Sequence, residues 1–110
     1  APPEDAMSNH HNNPLRSEFR GDPEMAELIE LFVSELPQRV RNLQECFASG
    51  DALGLQRIAH QLRGASGGYG FDPVGLRAQD LERAVQTNAD PEQVRRRLDE
   101  LVELCARVAA

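Results

Sequence analysis

Apolar residues recur at steps of three and four along four stretches of the 110-residue chain. That spacing collects them on one face of an α-helix, whereas a half-buried strand would alternate apolar and polar residues. No alternation of strand length occurs in the sequence. The pattern therefore predicts four amphipathic helices, over about residues 23–49, 52–69, 73–87 and 91–108.

The apolar stripe of the first helix passes through Pro37 without a change of phase. A proline can bend a helix without ending it, so we expect one kinked helix there. The members of this stripe are Met25, Leu28, Ile29, Phe32, Leu36, Val40, Leu43 and Phe47. Those of the third helix are Val74, Ala78, Leu81 and Val85, and those of the fourth are Val94, Leu98, Leu101, Cys105 and Val108.

Aspartate, proline and glycine mark the expected helix ends. An aspartate side chain can accept hydrogen bonds from the free N–H groups of a first turn, and proline is tolerated there because it lacks that N–H. Gly50 suits the end of the first helix, and Asp51 can cap the second. Asp90 and Gln93 have capping-box spacing. Three Asp-Pro pairs predict helix starts: Asp22-Pro23, Asp72-Pro73 and Asp90-Pro91.

Connections of only a few residues join the helices, and helices joined so tightly pack antiparallel to their neighbours in the chain. The predicted fold class is therefore all-α, an antiparallel up-down-up-down four-helix bundle. Leu15 and Phe19, four residues apart, predict a short N-terminal helical turn packed on the bundle. We expect this domain to span residues 14–110.

Residues 1–13, APPEDAMSNHHNN, are polar and rich in proline and asparagine, which predicts a flexible linker or arm. His10 and His11 lie in this arm and have no further metal ligands near them in the sequence. The chain does not begin with methionine, which suits a fragment or a processed chain.

The charge balance disfavours a nucleic-acid partner, because the chain has 18 acidic residues against 12 basic ones, all arginine, and its net charge is −6. Such a chain repels a phosphate polymer overall. Cys46 and Cys105 lie within helical patterns without metal-binding or redox spacing, which indicates buried thiols and disfavours a disulfide. No segment has the length of a membrane span or the order of a signal peptide, so we expect a cytoplasmic module with no direct membrane contact, either by itself or as one piece of a longer, membrane-anchored sensor kinase.

The second helix carries its histidine opposite its apolar face. On a helical wheel, five apolar residues lie within about 40° of the point opposite His60. The five are Leu55, Ile58, Leu62, Ala65 and Tyr69. We therefore expect the imidazole of His60 to point into solvent.

Arginine and glycine surround His60 on that outer face. Within about 60° of it on the wheel lie Gln56, Arg57, Arg63, Gly64 and Gly67. Each interior glycine costs a helix roughly 1 kcal/mol relative to alanine. A partner that must come close to the helix backbone would explain why the chain has glycine at these positions. Guanidinium groups bind phosphate oxygens, and neutral imidazole is a nucleophile. The pattern thus predicts an accessible phosphoryl acceptor, with Gln61 and Glu82 as bordering residues that are more often ordinary surface.

Motifs for driving such chemistry are missing from the chain. It has no phosphate-binding glycine loop, no HExxH, no paired carboxylates and no serine or cysteine placed to act with His60. We therefore expect a module that receives a group without being an enzyme itself, and that uses no metal or cofactor.

The run Ala59-His60-Gln61-Leu62-Arg63-Gly64-Ala65-Ser66, followed by Gly70 and by Leu81-Glu82, resembles the signature of histidine-containing phosphotransfer (HPt) domains of bacterial multistep phosphorelays. The resemblance covers about residues 15–108. It implies a four-helix bundle in which His60 takes a phosphoryl group from a receiver-domain aspartate and passes it to another receiver.

The resemblance also implies the roles of neighbouring residues. Arg63 would help to hold the phosphoryl group and Gly64 would make room for the partner, although the family usually has lysine where Arg63 stands. Mg²⁺ would belong to the partner receiver only. The partners implied are response-regulator receiver domains and a hybrid sensor histidine kinase, of which this chain would be the C-terminal part or a free-standing relative.

Two alternatives stay open at this point. The chain could be a helical interaction module that binds a signalling partner through the same face without phosphorylation. It could also belong to a chemotaxis-type kinase, in which a kinase domain of the same protein phosphorylates the histidine. The sequence leaves undecided which ring nitrogen of His60 would react.

Overall fold

The computed structural model describes residues 13–110, and it contains four helices in that range. They are α1 (Ala26–Ser49), α2 (Ala52–Gly68), α3 (Asp72–Gln86) and α4 (Pro91–Cys105). The all-α prediction is confirmed, and α1 runs through Pro37 as a single helix. Nearly all of the predicted linker, with His10 and His11, lies outside the described residues.

Capping explains why two of the helices begin where the sequence predicts. The Asp51 side chain accepts a hydrogen bond from the Gly54 N–H, and the Asp90 side chain accepts one from the Gln93 N–H. Gly50 ends α1 in the left-handed region at φ 74°, which glycine adopts without strain.

The other two Asp-Pro pairs act differently from the prediction. Asp22 Oδ1 accepts from the Glu24 N–H in a turn that precedes α1, and the helix begins three residues after Pro23. Asp72 is the first residue of α3, whose N-cap position is Phe71, without a side-chain cap. Asp72 is therefore one residue inside the helix, where its negative charge still interacts favourably with the helix dipole.

Each helix packs on its neighbours in the chain, and α1 also packs on α4, which closes the bundle. This is the up-down-up-down order that the short connections predict. The Phe32 ring contacts both Tyr69 and Phe71, whose ring centroids are 5.4 and 5.2 Å away. The buried core consists of Ile29, Phe32, Leu36, Leu43, Leu55, Ala59, Leu62, Phe71, Val74, Ala78, Leu81, Val94, Leu98, Leu101 and Cys105.

Two residues of the predicted apolar stripes do not lie on a buried helix face. Leu28 is 43% exposed, because it precedes the buried Ile29 and consecutive helical residues are 100° apart. Val108 lies beyond the end of α4, where it pairs with Leu15 in an isolated parallel bridge.

Residues 13–21, the N-terminal strap, cross one end of the bundle. The Leu15 N–H donates to Arg107 O at 2.7 Å, and Leu15 O accepts from the Ala109 N–H at 2.9 Å. The strap is extended here and forms turns only at residues 18–21, so the predicted helical turn is confined to its second half. Leu15 packs against the core, whereas Phe19 is 40% exposed.

The strap then contacts the connection that follows the histidine-bearing helix. Ser17, fully buried, donates its hydroxyl to Tyr69 O at 2.6 Å, and the Glu18 N–H donates to Gly70 O at 2.9 Å. Gly70 has φ +84°, and a Cβ there would lie 2.4 Å from Ser17 Oγ. Glycine is required at this position both by the backbone conformation and by the close approach of the strap.

Both cysteines are free thiols, and they differ in burial. Cys105 belongs to the core, and burial raises its pKa to about 12. Cys46 is only half-buried, in contrast to the sequence-based prediction. Burial and the Asp51 carboxylate raise the pKa of Cys46, and Arg57 partly opposes that rise.

The pKa of Cys105 predicts a loss of stability at alkaline pH. As the pH rises above 9.0, the ordinary thiol value, the unfolded chain loses the thiol proton while the folded chain keeps it. We expect the free energy of unfolding to fall by about 1.4 kcal/mol per pH unit between that value and the folded pKa. Denaturant titrations between pH 7 and 11 on the parent and on Cys105→Ala measure this term. A slope that is equal in both proteins would contradict it.

Candidate functional site

His60 is the central residue of α2, on the face that points away from the bundle. Its side chain is 67% exposed, while Ala59 and Leu62 on either side of it are fully buried. The predicted geometry is confirmed: the apolar stripe anchors α2, and the imidazole is accessible. A partner can therefore reach the ring without any opening of the fold.

Glu82, on α3, is the direct partner of the histidine. Its Oε2 lies 2.9 Å from His60 Nδ1, and the residue is only 7% exposed. Glu82 therefore borders His60, as the first of the two readings of the sequence has it, and the other reading, ordinary surface, is wrong. Its spacing contained the information, because Glu82 follows Ala78 by four residues and Val74 by eight, which places it on the buried face of α3. A carboxylate on such a face needs polar partners.

Gly75 explains how α3 comes close enough to α2 for this contact. A Cβ at Gly75 would lie 3.3 Å from Arg63 O and 3.7 Å from Ser66 Cβ, so the two helices meet almost backbone to backbone. Gly75 precedes Glu82 by seven residues, about two turns on the same face of α3. The missing side chain at Gly75 thus brings the carboxylate of Glu82 up to the imidazole.

Arg63 lies one turn after His60 and contacts the other oxygen of the same carboxylate. Its Nη1 is 3.5 Å from Glu82 Oε1, and its side chain is 47% exposed. The contact is long and open to water, so its contribution to stability is small. Gln86 Nε2 lies 3.5 Å from Oε2. The buried carboxylate therefore lies against an imidazole nitrogen, a guanidinium group and an amide group.

The glycines beside His60 leave the helix surface bare. A Cβ built at Gly64 or Gly68 meets no atom within 4 Å, and one at Gly67 meets only Asp72 Oδ1 at 3.9 Å. Packing within the domain therefore does not require glycine at any of the three. At Gly64 and Gly67 the free space lies outside the domain on the turns of α2 that follow the imidazole, whereas Gly68 lies at the end of the helix.

Arg57 and Gln61, the remaining predicted site residues, line a shallow hollow together with His60 and Glu82. Leu53, at the rim of this hollow, is 78% exposed. It lies seven residues before His60, about two turns along the same face of α2. Sequence reasoning overlooked Leu53 because a single exposed leucine is common on protein surfaces.

Within residues 13–110, no cluster of three or more histidine, cysteine, aspartate or glutamate side chains is arranged to hold a metal ion. Two of the three consecutive arginines on α4, residues 95–97, form ion pairs: Arg95 contacts Glu92 and Asp99, and Arg97 contacts Glu100. In the range that the structure describes, no helix combines the length and apolarity that a bilayer crossing requires.

The exposed imidazole of His60 is thus an accessible nucleophile on a four-helix bundle, held by a buried carboxylate and next to bare helix backbone. The sequence model of the Hpt domain matches residues 27–110, so the chain belongs to the Hpt domain family. Members of this family are phosphotransfer modules of phosphorelays. Comparison with curated proteins and with solved structures gives no match.

Proposed function

We propose that this domain relays a phosphoryl group between receiver-domain aspartates by way of His60. The observation that carries the proposal is the combination of an imidazole that is 67% exposed with open backbone at Gly64 on the next turn of α2. A receiver buries its phosphorylated aspartate in a pocket, so its surface must come close to the helix that bears the acceptor.

The transfer requires one bond to form and one to break. A ring nitrogen of His60 attacks phosphorus, the bond between phosphorus and the receiver's aspartate oxygen breaks, and the electron pair returns to that carboxylate. The second receiver reverses these steps with its own aspartate as nucleophile. The acceptor must be accessible from the outside, as His60 is on α2.

The residues around His60 divide the remaining work. Arg63 supplies positive charge to the phosphoryl oxygens, as a guanidinium suits such oxygens. Gly64 and Gly67 let the receiver approach the backbone, since a Cβ at either would project into free space or reach only ordinary van der Waals distance. Arg57 and Gln61 belong to the docking surface.

The partners in this proposal are response-regulator receiver domains and the hybrid sensor histidine kinase that feeds them, in the cytoplasm. The receiver contributes Mg²⁺ and its own acidic pocket, and the present chain contributes the acceptor without a cofactor. The net charge of −6 supports a protein partner over a nucleic acid.

Incubation with a receiver phosphorylated with ³²P tests the proposal. We expect the parent domain to acquire an acid-labile, base-stable label, as phosphohistidine does, and His60→Gln to acquire none. A variant with both other histidines replaced, His10→Gln and His11→Gln, is the matched control and should be labelled fully. Equal labelling of His60→Gln would contradict the proposal. Binding of the receiver without any label would favour the interaction-module hypothesis.

A further inference from the structure

We propose that the N-terminal strap, residues 13–21, is a releasable regulatory element that controls the order of the C-terminal end of α2. While the strap is bound, the docking surface around Gly64 and Gly67 is ordered. Displacement of the strap, through the chain that precedes it, loosens that surface and slows transfer from a receiver. The inference rests on the proposed function and adds a means of regulating it. The strap lies outside residues 27–110, which match the Hpt domain, so membership of that family does not account for it.

The C-terminal end of α2 has little to stabilise it within the helix itself. Three of its last five residues are glycine, the least favourable helix residue after proline. The last turn has no basic side chain to interact with the helix dipole. The carbonyl groups at a helix end also lack donors from their own helix. The order of this end therefore depends on groups from elsewhere in the domain.

The strap supplies two of those groups. The Ser17 hydroxyl donates to Tyr69 O at 2.6 Å, and the Glu18 N–H donates to Gly70 O at 2.9 Å. Ser17 is fully buried, so water does not compete for the first of these hydrogen bonds while the strap is bound. The Tyr69 ring also packs on Phe32, a contact that does not involve the strap. Release of the strap should therefore loosen the end of α2 and leave the bundle folded.

The strap is held by few enough groups to be released. Seven of its nine residues are exposed, while Leu15 packs partly against the core and Ser17 is buried. Segments with so little buried surface open at a lower free energy than the core does. Its other attachment is at Leu15, which donates to Arg107 O and accepts from the Ala109 N–H. Leu15 lies between residues 1–12 and Ser17, so a pull on the preceding chain reaches Leu15 first and Ser17 next.

Three variants distinguish a releasable strap from a simple structural contact. Ser17→Ala removes the hydroxyl, and Ser17→Leu overfills a fully buried site and should displace the strap. Leu15→Pro removes the N–H that donates to Arg107 O, and residue 15 makes no hydrogen bond to α2. Ser34→Ala is the matched control, because the Ser34 hydroxyl also donates to a carbonyl, that of Leu31, but within α1.

Amide hydrogen exchange of the unphosphorylated domain, followed by NMR, measures the order of α2 residue by residue. In Ser17→Ala we expect the protection of the amides of residues 67–71 to fall about 10- to 100-fold, the effect of one buried hydrogen bond. Leu15→Pro should lower the protection of the same amides, although it changes only the other attachment. The central amides of α3 and α4, and all amides of Ser34→Ala, should keep the protection of the parent.

Transfer from a phosphorylated receiver measures the functional consequence. Only molecules with an ordered docking surface are competent, so the rate falls with their fraction. In Ser17→Leu we expect transfer to be about 10-fold slower than in the parent. Phosphoramidate, which has no protein surface to dock, should label His60 of this variant at nearly the parent rate. Circular dichroism verifies that the bundle is folded, and Leu15→Pro takes the place of Ser17→Leu if the latter does not fold.

Unchanged protection of residues 67–71 in both Ser17→Ala and Leu15→Pro would overturn the inference, and so would an equal loss of protection throughout α3 and α4. The exchange measurement uses no receiver, so it is independent of the ³²P experiment. If the end of α2 loses protection but no receiver labels the parent, then the proposed relay fails and the control of α2 by the strap stands. If a receiver labels His60 and protection is unchanged in the variants, then the relay stands and the present inference fails.

Discussion

Replacing Gly64 by leucine is expected to slow transfer from a phosphorylated receiver about 100-fold and to leave the fold intact. A displacement of about 1 Å between reacting groups is enough for a loss of that size. A Cβ at Gly64 meets no atom of the domain within 4 Å, so the added side chain fits the isolated bundle and obstructs only a partner. Phosphoramidate is a small phosphoryl donor that does not dock on the protein surface. We therefore expect it to label His60 of Gly64→Leu at nearly the same rate as His60 of the parent.

A graded comparison supports this test. Gly64→Ala should raise the free energy of unfolding by about 0.5–1 kcal/mol, because alanine is the better helix former and its Cβ is unobstructed. The same variant should already slow transfer from the receiver. Gly68→Ala, at the last residue of α2, is the control with an equally open Cβ position. If Gly64→Leu and the parent transfer at the same rate, the bare backbone is not a docking surface.

Gly70→Ala is the substitution with the largest expected effect on stability. Alanine would have to adopt φ +84°, and its Cβ would lie 2.4 Å from Ser17 Oγ and 2.9 Å from a Phe19 ring carbon. The backbone conformation and the overpacking together should lower the free energy of unfolding by about 2–4 kcal/mol. Equilibrium unfolding in urea, followed by circular dichroism, measures the difference.

Gly50→Ala is the matched control for this second prediction. Gly50 has φ +74°, close to that of Gly70, but a Cβ there meets nothing within 4 Å. The free energy of unfolding of Gly50→Ala should therefore fall only by the conformational cost, about 1–2 kcal/mol. Equal losses in the two variants would show that contact with the strap contributes nothing to the requirement for glycine at position 70.

The helices could be predicted because each buries one face, and a buried face requires apolar residues at regular steps of three and four in the sequence. The stripe through Leu55 and Leu62 placed His60 on the outside, and the structure confirms that position. Asp51 and Asp90 could be predicted as caps because a cap involves only the next three residues. These features depend on local geometry alone.

The features that the sequence did not give depend on contacts between distant segments. The sequence named Glu82 as a residue bordering His60, but it did not show that the carboxylate is buried or that it contacts the imidazole directly across 22 residues. The distance between the two helices depends on Gly75, which no periodicity marks as a contact. The strap pairs Leu15 with Val108 through backbone groups, which carry no residue-specific pattern. The exposed fraction of Leu28 likewise depends on how α1 is rotated about its axis relative to the core, a rotation that buries the adjacent Ile29 instead.

The pairing of Leu15 with Val108 also has a consequence for the connectivity of the domain. Because the two ends of the described chain lie side by side, a short peptide could join Ala110 to Asn13, and the bundle could be reopened at another connection. Gly50, between α1 and α2, is such a connection. A circular permutant opened there would keep every helix of the fold. Its two chain ends, where a neighbouring domain could be fused, would lie at the N-terminal end of α2. The present ends lie near the C-terminal end of α2, on the other side of His60.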